Sequence, residues 1–428
     1  MQDGVRGWTW YPASRVVPVV ALEGREADAL PVSGPQVRAQ GPLRAGAARI
    51  DITPAAPVAL EGYEDPEHRI SEGVHDRLYA RAFAFAAGNK RLVLVSIDVG
   101  SMVLGPYFQR AVLDRFDLQP DELFLCPIHT HSGPQLSLNP GYPHPNNFGY
   151  TGLFERQLVT LVGKALAALS PARVSVGRGT SAVGASRRKP MPDGRIVMAA
   201  NPEGPADHEL LVLQLARPDG EVFAALFNYA CHSRSLRSPN RLVSGDVLGI
   251  AEQFLEERRR NQFVAAFPGA SADIDPVSLA DGFDASGSDT IPPPVRLGQR
   301  LGADVLSALQ ETRVVRAPAV IRTAARRVML PARTGTAPRP INVVVAAVGT
   351  VAFVGLDCEA SVEIGLAIKT ASPFKDTFVF TICNGWRGYL PVEHQYAEGG
   401  YEVARTGFGP AAADILVKEA LGMLAGLK

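Results

Sequence analysis

Two histidines one residue apart, His129 and His131, follow the apolar run from Leu123 to Cys126 and precede Ser132, Gly133 and Pro134. Imidazole readily ligates a metal or moves a proton near neutral pH. A strand that ends in His-x-His before a tight turn sets two of them at a sheet edge, where loops carry function. Four further strand ends share this chemistry. Ala225 to Cys231 delivers His232, with Asp246 beyond it; Val264 to Phe267 runs into Asp273 and Asp275; Val351 to Leu356 reaches Asp357 and Glu359; Cys383 to Tyr389 is polar and aromatic. Catalytic zinc takes a mixed histidine and carboxylate set with a position open to water, and separate strand ends supply such ligands as readily as one helix does. His129, His232 and Glu359 meet that requirement. Taken singly, each reads as an ordinary turn or cap residue, and Asp246 stands where an N-cap is expected before Val247. Taken together, they favour a metal site.

Other chemistries have weaker support. The chain has no Gly-x-Ser-x-Gly elbow, no phosphate loop and no His-Glu-x-x-His helix. Cys231 adjoins His232, but neighbours on a strand face opposite sides, so the pair does not form a nucleophile and base. The four cysteines, Cys126, Cys231, Cys358 and Cys383, include no Cys-x-x-Cys pair and read as buried thiols. Lys and Arg total 43 against 43 Asp and Glu, for a net charge of zero. With no basic block to track a phosphate backbone, nucleic acid is excluded as a partner.

The elements that must position these residues are legible in part. Strand-length apolar runs fall at 47–52, 92–97, 210–215, 222–229, 343–348, 351–356 and 378–383, and helical spacing at 107–116, 153–169, 249–259, 296–310, 361–370 and 411–425. The mixture predicts an α/β architecture, mixed β-sheets flanked by helices, in a single large catalytic domain over 45–428. Residues 1–44 read as an extended lead-in, and 281–294 as a long loop of the kind that forms lids or substrate walls. No internal repeat is visible. The start of the chain lacks the pattern of a secretory signal, and no stretch is long and apolar enough to span a bilayer. The expectation is a soluble, cytoplasmic protein without stable membrane association; homo-oligomerisation is left open.

Beyond these readings, an ordered set of blocks resembles the catalytic domain of the neutral/alkaline non-lysosomal ceramidase family. The blocks are Ile50 to Pro54, Gly62-Tyr63, Gly73 to Phe83, His129 to Pro134, Ser244 to Asp246, and Tyr401 to Pro410. The resemblance implies zinc ligands at His129, His232 and Glu359, with an unusual tyrosine ligand at Tyr389. It implies that His131 stabilises the transition state, that Arg187, with Arg188 as close competitor, is the active-site arginine, and that Tyr401 donates to the developing oxyanion. His75 lies in another motif that the family turns toward its site. One departure is Asp275, where the family carries a serine; a carboxylate there could act as a general base on zinc-bound water, orient that water or brace the turn, with bracing or orienting ranked above base. The family's C-terminal immunoglobulin-like domain and export signal find no counterpart, which shifts the expected substrate from a membrane lipid to a soluble small molecule. The resulting expectation is zinc-dependent hydrolysis of an amide in an N-acyl or amide-containing compound. A metal-dependent esterase or lactonase, and a catalytically silent metal-holding scaffold, are the alternatives.

Overall fold

The computed structural model describes residues 39–64, 66–277, 292–315 and 320–428. The lead-in up to residue 38 and the loop from 281 to 291 lie outside the described residues. Mixed sheets flanked by helices form one α/β domain, as the sequence predicts.

Its plan is a unit of three antiparallel strands, a helix, a parallel fourth strand and a second helix, occurring three times in succession. The first unit uses strands Arg44–Asp51, Tyr79–Ala87 and Lys90–Ile97, helix Gly105–Phe116, strand Leu123–Pro127 and helix Pro145–Ala167. The second uses Arg173–Thr180, Glu209–Ala216, Val222–Tyr229, helix Asp246–Arg258, strand Phe263–Pro268 and helix Pro293–Gln310. The third uses Val320–Leu330, Arg339–Val348, Val351–Leu356, helix Val362–Ala371, strand Asp376–Phe380 and helix Ala412–Leu427. In each sheet the strand order is fourth, third, second, first, and only the fourth pairs in parallel. A parallel partner requires a crossover, which the first helix of each unit provides. A two-residue strand completes each sheet beyond its first strand: Ser170–Pro171, Arg313–Val314 and, in the third unit, Ala39–Gln40 from the other end of the chain. The expectation of no repeat is thus corrected. The repetition lies in topology and not in residue identity, so no sequence period betrays it.

Alternation explains how each sheet serves two layers. In Tyr79–Ala87 the even positions Ala80, Ala82 and Ala84 lie under helix Pro145–Ala167, while Phe83 and Phe85 point into a core shared by all three sheets. Small residues on the outer face let the helix lie close; a Cβ on Gly46 would stand 2.4 Å from the Ala165 carbonyl. In the shared core the Phe380 ring centroid lies 6.3 Å from Phe124 and 4.7 Å from Phe267, one phenylalanine from the fourth strand of each unit. Burying each contributes roughly 1.5–3 kcal/mol. The three parallel edge strands therefore meet at the centre, and the chain leaves them on one side, at their carboxyl ends, where open α/β sheets bind ligands.

Two boundaries differ from the sequence reading. The helix expected from 153 begins at Pro145, because the side chain of His144 caps it by accepting from the Asn146 N–H at 3.2 Å. The poor helix formers Asn146, Asn147 and Gly149 conceal that first turn. Strand Val320–Leu330 also escapes the pattern, since Arg322, Arg326 and Arg327 interrupt its apolar face.

Candidate metal centre

Strand Leu123–Pro127 ends before the histidine pair, and His129 itself takes a left-handed conformation with φ +60°. The pair therefore lies beyond the strand end, and strand alternation does not orient His129 and His131. The backbone reverses at His129 and is caught again at Thr130, which bridges to Ser233. That bridge brings the two loops together. The ring centroids of His129, His131 and His232 lie 4.6 to 5.6 Å apart, and their nitrogens lie within 4.8 Å of one another.

His232 and Glu359 occupy the same place in their units, each three residues beyond the end of a third strand; the counterpart in the first unit is Gly100. Nε2 of His129 and Nε2 of His232 stand 3.4 and 3.5 Å from the same oxygen, Oε2 of Glu359. All three atoms are buried and without a hydrogen-bond partner among the described residues. Ligand atoms about 2.0–2.1 Å from a tetrahedral ion sit roughly 3.3 Å apart, so the observed spacing fits a metal. The far sides of these ligands are anchored. Nδ1–H of His129 donates to the Gly100 carbonyl at 2.6 Å, Nδ1–H of His232 to the Ile274 carbonyl at 3.1 Å, and Trp386 Nε1–H to Glu359 Oε1 at 2.7 Å. With the proton fixed on Nδ1, each Nε2 presents its lone pair inward.

Electrostatics agree with that role. Burial, with Arg187 nearby, pushes His232 down to about 4, so it is neutral at pH 7. Burial disfavours the Glu359 charge, but His129 and His232 outweigh it and hold the carboxyl well below the usual range. His129 is raised: burial opposes its charge, and Glu359 overcomes that. His131 is driven well below its ordinary value, first by burial and then by the two adjacent imidazoles, and neither ring nitrogen has a partner among the described residues. Its ring meets Tyr63 edge-on at 5.1 Å. Gly62, at φ +106°, makes the room: a Cβ there would fall 2.4 Å from the imidazole.

Tyr389 pairs with Glu359 in a short parallel bridge, which sets its side chain beside the carboxylate. Burial and Glu359 push its phenol well up. Tyr401 meets it edge-on at 5.5 Å, and the Arg187 guanidinium lies 5.9 and 5.5 Å from the Tyr389 and Tyr401 ring centroids. Nε of Arg187 donates to Glu402 at 2.8 Å and Nη1 to Asp275 at 3.3 Å, leaving Nη2 buried and unpartnered among the described residues. Its competitor Arg188 turns away, donating to Glu402, Glu398 and the Gly399 carbonyl. Asp275 also accepts both Nε and Nη2 of Arg234, the former at 2.6 Å. Burial opposes its charge, yet Arg234 and Arg187 together hold it far below the carboxylate range, which leaves it a poor base.

His75 stands apart: its Nδ1 faces Asp76 at 2.7 Å, and its described contacts do not reach the histidine cluster. Asp246 is not the expected N-cap. At φ +53° it accepts from Ser235 N and Oγ, Leu236 N and Val247 N, and so ties down the loop that carries His232 and Arg234. Sequence reasoning passed over Glu61, whose buried carboxyl accepts from Ser101 and feels the charges of His129 and Glu359, and over Trp386, Arg234 and Tyr63. Trp386 and Tyr63 stood inside blocks already singled out; Glu61 directly precedes one of them.

Fold and site together define an α/β protein with a buried histidine and carboxylate centre at the carboxyl ends of its strands. The chain belongs to the neutral/alkaline non-lysosomal ceramidase family, whose N-terminal domain model matches residues 43–284. It is similar to the neutral ceramidase of Pseudomonas aeruginosa, at 30% identity over 251 residues, covering 54% of this chain and 36% of that protein. Neutral ceramidase B of Dictyostelium discoideum is 29% identical over 275 residues, 56% of this chain and 36% of its own length. The chain thus spans a little over a third of these curated relatives. A crystal structure of the P. aeruginosa neutral ceramidase superimposes on 90% of this chain and 75% of its own with a TM-score of 0.74, at 19% identity, a likeness of fold.

Proposed function

We propose that this chain is a metal-dependent hydrolase that cleaves the amide bond of a small, soluble N-acyl or amide-containing substrate. The observation that carries the reading is the trio of unpartnered ligand atoms on His129, His232 and Glu359, spaced for a tetrahedral ion and anchored from behind. Tyr389 or His131 would complete the set; the imidazole-rich donors suit zinc. A zinc ion held by these residues would supply a Lewis acid and would lower the pKa of a bound water from roughly 16 toward about 7.

The chain's own groups divide the remaining work. Nη2 of Arg187 and the Tyr401 phenol offer N–H and O–H donors to the carbonyl oxygen as negative charge develops on it; one such preorganised donor is worth on the order of 3 kcal/mol. His131, neutral at pH 7, has one ring N–H and one lone pair, and so can pass a proton toward the departing amine nitrogen. Asp275 orients Arg187 and Arg234, a role that its strong ion pairs permit and that basicity does not require.

Substitution of His129 or His232 by alanine is expected to abolish both stoichiometric zinc, read by elemental analysis, and hydrolysis of a matched panel of amides and esters. Retention of either by the variants overturns the assignment.

A further inference from the structure

Resting on the reading of this site as an amide hydrolase, a second question is what the substrate carries besides its amide. A cavity of about 310 Å³ is walled by Tyr63, whose ring meets His131, and by Arg187, Met198, Arg234, Arg237 and Asp275 among others. That volume is at the small end of ligand pockets, which run from roughly 300 to 1,000 Å³. Its apolar lining is one methionine, a few alanines and a proline.

The polar lining is unbalanced. Three arginines face one carboxylate, and that carboxylate is consumed: Asp275 accepts from both Arg187 and Arg234. What is left over is donors. Nη2 of Arg187 is buried and unpartnered, the Tyr63 hydroxyl is likewise buried and unpartnered, and the exposed Arg237 guanidinium at the rim has no side-chain partner, all among the described residues. Arg237 is carried on a turn that begins at Arg234, with its own N–H donating to the Arg234 carbonyl at 3.2 Å, so the two guanidiniums enter the cavity from one loop. Buried donors without acceptors are costly unless a ligand supplies the acceptor. Guanidinium forks match the two oxygens of a carboxylate, or those of a phosphate, in geometry as well as charge.

We propose that this cavity recognises an anionic group of the substrate, a carboxylate or phosphate held between Arg237, the Tyr63 hydroxyl and the one of the two Arg187 Nη2 N–H bonds that the amide carbonyl does not take, so that the enzyme selects small anionic amides over neutral ones. A long-chain neutral amide would leave these donors unsatisfied and find little apolar wall.

The test uses the zinc-loaded full chain and a matched series: N-acetyl amino acids, with the carboxylate on the amine side; monoamides of dicarboxylic acids, with it on the acyl side; an N-acyl phosphoethanolamine headgroup; the corresponding neutral methyl esters and N-acyl ethanolamines; and a short-chain ceramide. At least one anionic series is expected to exceed its neutral counterpart about tenfold in kcat/KM, the scale of one charge-assisted hydrogen bond. In Arg237→Gln, KM for that anionic substrate should rise about tenfold with kcat nearly unchanged, and KM for the neutral counterpart should not move. Equal or better turnover of neutral amides or of the ceramide, or an equal effect of Arg237→Gln on both classes, overturns the inference and leaves the hydrolase reading standing. Should no amide be cleaved, the hydrolase reading fails and calorimetry still decides the inference: acetylglycine or inorganic phosphate should bind wild type measurably more tightly than Arg237→Gln, and equal binding refutes it.

Discussion

At the scale of single residues, the centre is governed by which nitrogen holds the proton. His129 keeps its Nδ1 proton on the Gly100 carbonyl, while Glu359 raises the pKa of the ring above its ordinary 6.5. In the metal-free protein the second proton, on Nε2, must leave before an ion can bind. Glu359 is already ionised and His232, at about 4, already neutral, so His129 sets the pH dependence. The sign follows directly: lowering the pH through the raised His129 value loads the competing proton and weakens metal binding. Zinc affinity is expected to rise about tenfold per pH unit up to that value and then level off, one proton being displaced per ion. Competition against a chromophoric chelator between pH 6 and 8.5 measures this, and a flat profile would refute it. His131 belongs to the same cluster but lacks an anchored far side. His131→Gln is therefore expected to retain zinc and lose roughly 10²- to 10³-fold in kcat, a loss of proton transfer and carbonyl polarisation. Loss of the metal in that variant would make His131 a ligand instead.

Elements hold these residues through buried charge as much as through apolar packing. Arg81, on the second strand of the first unit, is fully buried, reaches Glu256 and Glu252 on the first helix of the second unit, and also contacts Asp98. Glu252 in turn accepts the Ala266 N–H and the Ser96 hydroxyl, so one ionic cluster joins two units beneath the site. Arg81→Met leaves the buried Asp98 and Glu252 with no cation, while Glu256 keeps Arg49, and should cost about 3–5 kcal/mol, read as a lower urea midpoint at unchanged slope. A shift under about 1 kcal/mol would mean that the acids simply take up protons or water. Element identity was legible wherever one period dominated: strand Val222–Tyr229 and strand Val351–Leu356 stand where the apolar runs place them. It was hidden where the outer face is charged, as in Val320–Leu330, or where a helix opens on Pro145 and two asparagines. The pairing of Tyr389 with Glu359 is a tertiary event to which neither local pattern refers.

At the scale of the whole molecule, the first unit gives His129, the second His232, and the third Glu359 and Tyr389. An ion bound by them would join all three units and could bind only in the assembled domain. Chelation should therefore lower Tm in a single cooperative transition; a site filled at a thousand times its Kd contributes about 4 kcal/mol. Calorimetry with and without chelator checks this, and an unchanged Tm would detach the metal from the junction. The candidate ligands stood out in the sequence because histidines and acids at apolar strand ends are costly to place without purpose. The repeat was not, because equivalent positions carry Gly100, His232 and Glu359 and share only their place in the fold. That difference has its own consequence. Three identical subunits closed into a ring must offer a central ion three identical donors. Joining the units into one polypeptide lifts that symmetry, so one place can be a backbone carbonyl that aims an imidazole, the next an imidazole and the last a carboxylate. A lopsided donor set with an open side is chemistry that a symmetric trimer could not have on its axis.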